Sequence, residues 1–290
     1  MGTSLAWLAA ALGLGWIGAI GYAFWRVVRR PTDDVLVGAR EPRRPGERRI
    51  VCAGDSITHA TVSFDYVRAL RERLGPSTRI FNAGVNGDLA YNLAERLPSI
   101  VACAPDIVVV LIGTNDLCGA QTESVARQQR RTKQLPEFAS LEFFEEQLRR
   151  VLRGLRAETS ARIVVVTPPL LGEDLTHPVY TRLCAFAERA IELANAHDAQ
   201  VIAFHSAMAD ALRASGHAAR PGFSAGVKEL SWLVTTPLQH YLTGMSYDRI
   251  SRRRGLWGSA DLIHLNETSG AILVQLLENA LRAGALTEGF

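Results

Sequence analysis

The sequence predicts an α/β sandwich built on a parallel sheet. Three observations carry that expectation. From residue 50 onward, short apolar runs alternate with amphipathic ones. Two of the runs, "DIVVVLIG" at 106–113 and "RIVVVTPP" at 162–169, are nearly continuous and β-branched, as strands buried on both faces are. The chain has 290 residues, 48% hydrophobic and 21% charged, which suffices for one sizeable core.

Strands are expected at 49–53, 79–82, 107–112, 163–167 and 201–204. Helices are expected at 62–74, 89–102, 137–158, 178–197 and 267–284. Pro136 suits the first turn of the third helix, and Asn266 or Thr268 suits the cap of the last. The strict alternation of the two element types implies right-handed crossovers between parallel strands. Two connections are long. Residues 117–135 are polar and contain "RQQRRTKQ", and about 206–260 form an insertion of mixed character. Both are expected as lids or binding loops at the carboxyl ends of strands, where open α/β sheets take their ligands.

Ahead of this domain, residues 4–25 ("SLAWLAAALGLGWIGAIGYAFW") carry no charge. As a helix they would extend roughly 33 Å, enough to cross a bilayer. Trp7, Tyr22 and Trp25 stand near the ends of the run, where an aromatic belt would lie. A cleaved signal peptide would need a basic start, a shorter apolar core and small residues at the cut, and none of these is present. The expected organisation is a transmembrane anchor at 4–25, a basic juxtamembrane linker at 26–49 and a catalytic domain at 50–290. The arginines follow the span, so the positive-inside rule puts the domain on the cytoplasmic side. Small residues at Ala11, Gly15, Ala19 and Ala23 form a stripe through which two such helices would pair as a homodimer.

Charge supports this division. Residues 26–49 hold eight arginines and four acids, whereas the chain as a whole is only +3. The basic character therefore belongs to a short segment. No basic stripe or aromatic-rich motif points to nucleic acid. The four cysteines, Cys52, Cys103, Cys118 and Cys184, are scattered without metal-ligand or disulfide spacing.

Three short blocks stand at the expected strand ends, and a fourth lies ahead of the last helix. "GDS" (54–56) follows the first strand, "NAGVNGD" (82–88) the second and "GTND" (113–116) the third; "DLIHLN" (261–266) precedes the last helix. The topology brings all four to one sheet edge. Ser56 is a nucleophile if a base removes its proton, and His264 is of the right type to be that base. Asp261 stands three residues earlier, placed to orient the imidazole. The N–H groups of Ser56 and Gly87 and the Asn115 amide are donors for an oxyanion. The nucleophile is not in a G-x-S-x-G turn, which excludes the α/β-hydrolase pattern. Of the other histidines, His59 competes as a base because it follows Ser56 by three residues.

Together the four blocks resemble those of the SGNH hydrolases, also called the GDSL esterase/lipase superfamily, over residues 50 to about 284. That resemblance implies a flavodoxin-like three-layer α/β/α sandwich around five parallel strands. It implies Ser56, Asp261 and His264 as the catalytic triad. Ser56, Gly87 and Asn115 would form the oxyanion hole, and no metal or organic cofactor would be needed. The implied activity is hydrolysis of carboxylic esters, whether lipid, lysophospholipid or short acyl. Deacylation or acyl transfer on saccharide or envelope polymers is the alternative. A catalytically silent membrane-tethered binding module is the alternative of another class.

Overall fold

The computed structural model describes residue 15 and residues 18–218, 222–224 and 226–283. Five parallel strands form one sheet in the order β2-β1-β3-β4-β5. They are β1 (Arg48–Gly54), β2 (Thr78–Gly84), β3 (Ile107–Leu111), β4 (Arg162–Val166) and β5 (Gln200–Ile202). β1 is in register with β2 from Arg48↔Thr78 to Gly54↔Gly84, and with β3 from Ile50↔Ile107 to Gly54↔Leu111. The central strands are buried on both faces, which is why their sequences do not alternate.

The chain runs from β1 outward to β2, then back past β1 to β3. With right-handed crossovers this reversal puts helices on both faces. In one layer α3 (Tyr66–Leu74) packs on α13 (Glu267–Ala283), which also meets α10 (Phe204–Ala214). In the other, α8 (Leu141–Glu158) packs against α4 (Ala90–Glu95), α5 (Leu97–Val101) and α9 (Pro178–Ala196). The reversal also opens a crevice at the carboxyl ends of β1 and β3, the usual place for a ligand in such sheets.

Several expected boundaries move for local reasons. The helix expected over 62–74 starts at Tyr66, where the Asp65 carboxylate accepts the Arg68 N–H at 2.9 Å. The one expected over 89–102 is split before Pro98, which cannot continue a helical hydrogen-bond ladder. The one expected from 137 starts at Leu141 instead, because Ser140 Oγ caps the Phe143 N–H at 3.1 Å; Pro136 lies outside it. Asn266 does cap the last helix, accepting the Ser269 N–H at 3.1 Å. Both expected long loops are largely helical. The first holds α6 (Thr114–Gly119) and α7 (Glu123–Thr132); the second holds α10, α11 (Val227–Thr243) and α12 (Tyr247–Arg254). Only Ala126 of α7 is buried, so its sequence lacks the apolar stripe that announces a helix.

Most of the segment expected to span a membrane, residues 4–14 and 16–17, lies outside the described residues. Residues 18–28 are helical. Among the described residues, no helix is long and apolar enough to cross a membrane. The basic segment expected as a linker is packed along the β2 edge. The Asn82 N–H donates to the Asp33 carbonyl at 2.9 Å, and α1 (Val35–Gly38) is capped by Asp34. Arg49, only 3% exposed, ties this segment down by donating to the carbonyls of Glu41 and Cys103.

Candidate active site

β1 ends at Gly54, and Asp55 caps the short helix α2 (Ser56–His59) by accepting the Ile57 N–H at 3.0 Å. Ser56 is the first residue of that helix, where the N–H has no intrahelical partner. α2 lies tight against β2: a Cβ on Gly84 would fall 2.0 Å from the His59 nitrogen, so only glycine lets the two approach. The turn after β2 carries Gly87 at φ +75°, in the left-handed region that glycine enters freely. After β3, Asn115 sits in the first turn of α6. Its side-chain amide donates to the Asp88 carbonyl at 3.0 Å, and the second N–H of the same amide remains available. Among the described residues, no hydrogen bond takes up the N–H of Ser56 or Gly87.

Ser56 and His264 are separated by 208 positions, yet Ser56 Oγ and His264 Nε2 are 2.9 Å apart. On the far side of the ring, His264 Nδ1 is 2.8 Å from Asp261 Oδ2. A carboxylate facing Nδ1 keeps the proton on that nitrogen and leaves Nε2 as the acceptor for the serine hydroxyl. The other oxygen, Asp261 Oδ1, accepts the backbone N–H groups of Ile263 and His264 at 3.2 and 2.9 Å. These bonds close a tight turn in which Leu262 adopts φ +73°, a conformation costing a side-chain-bearing residue about 1–2 kcal/mol. The Gly172 N–H holds the turn by donating to the Leu262 carbonyl at 2.8 Å. Burial works to lower the His264 pKa, but the adjacent Asp261 charge and hydrogen bond outweigh it and hold the pKa above its ordinary value. Burial likewise works to raise Asp261, and the imidazolium form of His264 reverses this and holds the carboxyl low.

Three further carboxyls lie behind the strand ends. Burial pushes Asp55 up to about 6 and Asp116 up to about 7. Asp116 accepts the Ala90 N–H at the start of α4, and Asp88 is paired with Arg96 at 2.8 Å and Lys133 at 3.1 Å. Asp88 and Asp116 thus brace the loops that carry Gly87 and Asn115. His59 is not part of the relay: its Nε2 lies 2.9 Å from the Arg29 carbonyl. Among the described residues, no group of three or more His, Cys, Asp or Glu side chains converges as a metal site.

A cavity of about 430 Å³ is lined by Gly87, Asn115 and Ile263, the last of these being the residue before His264. Most of its remaining wall comes from α7 and α11. The Ser56–His264–Asp261 relay, the flanking N–H donors and this cavity make up what a nucleophilic acyl-transfer site requires.

The profile of the GDSL-like Lipase/Acylhydrolase family matches residues 52–225. The chain belongs to that family. It is accordingly a serine esterase, and its fold is that of the SGNH hydrolases. No curated protein sequence matches it. Solved structures with the same fold include a catalytic mutant of an acetylxylan esterase from Geobacillus stearothermophilus. That protein is 16% identical, with 79% of this chain and 92% of the other covered at a TM-score of 0.54. The acetyl xylan esterase AlAXEase is 17% identical over 80% and 98% of the two chains, with a TM-score of 0.54. LAE5, an α/β hydrolase enzyme from the metagenome of Lake Arreo, Spain, is 19% identical over 81% and 94%, with a TM-score of 0.53.

Reading the sequence alone missed Glu173, Gln129 and Lys133. The buried Glu173 carboxylate accepts three consecutive backbone N–H groups, those of Trp257, Gly258 and Ser259, just ahead of the Asp261 turn. A glutamate seven residues after an apolar strand carries no local signal of that task. Gln129 and Lys133 lie in the polar run read as a loop; once it folds as α7, their spacing of four puts both on one helical face.

Proposed function

We propose that Ser56, His264 and Asp261 are the catalytic triad of this esterase and that it hydrolyses esters with an apolar acyl group. The observation that carries the assignment is the hydrogen-bond relay from Ser56 Oγ through His264 to Asp261. His264 Nε2 takes the hydroxyl proton as Oγ attacks the ester carbonyl. The developing oxyanion is received by the N–H groups of Ser56 and Gly87 and the free N–H of Asn115, each such donor being worth roughly 3–4 kcal/mol in the transition state. Imidazolium His264 then protonates the departing alcohol, leaving an acyl-enzyme. Water, deprotonated by the same nitrogen, attacks the acyl carbon and regenerates the serine.

The substrate reading is supported by the cavity wall. Val125, Phe223, Leu230, Leu233 and Ile263 present apolar surface beside the oxyanion donors, which suits an acyl chain. Gln128 and Glu229 on the same wall favour a second reading, removal of a short acyl group from a saccharide. One experiment separates them: kcat/KM across p-nitrophenyl esters from acetate to dodecanoate, beside an acetylated xylo-oligosaccharide. The expected result is a maximum at a medium-length chain. A maximum on the saccharide replaces the first reading with the second. Ser56→Ala is expected to lose roughly 10⁴-fold or more in kcat and all labelling by a fluorophosphonate probe. A folded Ser56→Ala variant that still labels or turns over would sink the triad assignment.

The same proposal puts the domain at a membrane, on the cytoplasmic side, through residues 4–25. It is supported by the absence of charge from that segment and by Arg26, Arg29 and Arg30 directly after it. Ile20, Phe24, Trp25 and Val28 on the helix over 18–28 are also exposed. Release of the full chain from membranes by alkaline carbonate would overturn the anchor.

A further inference from the structure

One oxyanion donor depends on the direction of a single peptide plane. Val85–Asp88 form a turn closed by the Asp88 N–H on the Val85 carbonyl at 3.2 Å. Gly87 holds the third position at φ +75°, and Asn86 is not among the residues of positive φ, which is the signature of a type II turn. The Asn86 carbonyl and the Gly87 N–H belong to the same trans peptide and point to opposite sides of it. In a type I turn that plane is rotated by roughly half a turn, and carbonyl and N–H change places. Glycine tolerates both forms, so the turn by itself does not settle which way the donor faces.

Lys133 settles it. Its Nζ donates to the Asn86 carbonyl at 2.6 Å and to Asp88 Oδ1 at 3.1 Å. The lysine is itself well held. Its N–H caps α7 on the Gln129 carbonyl at 2.8 Å, and its own carbonyl accepts from Asn92 Nδ2 at 3.0 Å. Its side chain lies against the open face of Gly87, where a Cβ would come 2.9 Å from Lys133 Cε. One helical turn earlier, Gln129 Nε2 donates to the Asn115 carbonyl at 2.8 Å. The end of α7 therefore grips the main-chain carbonyls beside two of the three oxyanion donors.

We propose that Lys133 is a positioning residue of the oxyanion hole. It locks the Asn86–Gly87 peptide with its carbonyl on the ammonium, so that the Gly87 N–H faces the opposite side, toward the reacting carbonyl. A cation on the carbonyl also draws electron density through the amide and strengthens its N–H as a donor. Gln129 holds Asn115 in the same way without the charge. The inference rests on the assignment of Ser56 as nucleophile.

The test compares Lys133→Met, Lys133→Gln and Lys133→Arg in the full chain, with kcat, KM, fluorophosphonate labelling rate and thermal midpoint measured for each. Lys133→Met is expected to lose about 10–100-fold in kcat, less than the 10²–10³ of deleting a donor outright. KM and the midpoint are expected to stay close to the parent's, and labelling to slow by the same factor, because the phosphonyl oxygen occupies the same hole. Activity should rise in the order Met, Gln, Arg. A Met variant with parental kcat, or a loss confined to KM, overturns the proposal. If the Met variant does not fold, equal kcat in Gln and Arg variants overturns it. A parent chain that neither turns over esters nor labels at Ser56 fails the triad assignment instead.

Discussion

At the residue scale, the central pair is Asp261 and His264. Their three-residue spacing is readable in "DLIHLN", but spacing alone does not bring a carboxylate to an imidazole. The left-handed Leu262 and the two N–H bonds to Asp261 Oδ1 fold the segment back so that Oδ2 meets Nδ1. The consequence is a pH profile. As the proposed base, His264 must be neutral to accept the serine proton, and the carboxylate raises its pKa, so kcat/KM is expected to climb with pH through a midpoint above 6.5. Asp261→Asn removes that charge. The midpoint should move down, and kcat should fall by roughly 10⁴-fold because the wrong tautomer is favoured. A profile whose acid limb stays put in Asp261→Asn contradicts this account of the relay.

At the element scale, the site is assembled by segments that lie far apart along the chain. The segment after β4 supplies Glu173, whose carboxylate collects the N–H groups of residues 257–259 and the Ser259 hydroxyl at 2.9 Å. This anchors the stretch that leads into Asp261. Glu173→Ala would strand buried donors at about 1–3 kcal/mol each, so stability is expected to drop by about 3 kcal/mol or more. The Asp261 turn should loosen with it, and kcat should fall further than KM rises. Denaturant unfolding beside steady-state kinetics checks both, and a folded variant with parental kcat would refute the anchoring role. α7 does the corresponding work on the other side. Its sequence reads as a polar loop because a helix lying over a site buries little apolar surface and leaves no stripe.

At the scale of the whole molecule, the reversal of strand order between β2 and β3 gathers Ser56, Gly87 and Asn115 at one edge, and it also buries acids there. A carboxyl whose pKa is higher folded than unfolded favours folding while it is protonated. That contribution is complete below the unfolded value of 3.8 and is lost as pH rises through the folded one. For Asp55 and Asp116 the loss falls between about pH 4 and 7, the folded values being about 6 and about 7. His264, also raised, loses its contribution as pH rises through its folded pKa; His205, lowered by burial, works in the opposite sense. The Tm is expected to fall from pH 5 to pH 8, and the fall should be smaller in Asp116→Asn. An equal slope in both proteins would remove Asp116 from the explanation.

By itself the sequence determined the five strands, their alternation with helices and the identity of the residues at their ends. Those are local properties: β-branched runs make buried strands, and Ser56, Gly87, Asn115, Asp261 and His264 stand in short blocks whose residue types suit one chemistry. What only the tertiary structure decided is how those residues are held. Lys133 on the Asn86 carbonyl, Gln129 on the Asn115 carbonyl and Glu173 under residues 257–259 join positions 14 to 86 residues apart through main-chain atoms. Main-chain carbonyls and N–H groups are the same at every residue. A side chain that binds them therefore leaves no partner type in the sequence to be recognised, and folding alone reveals the contact.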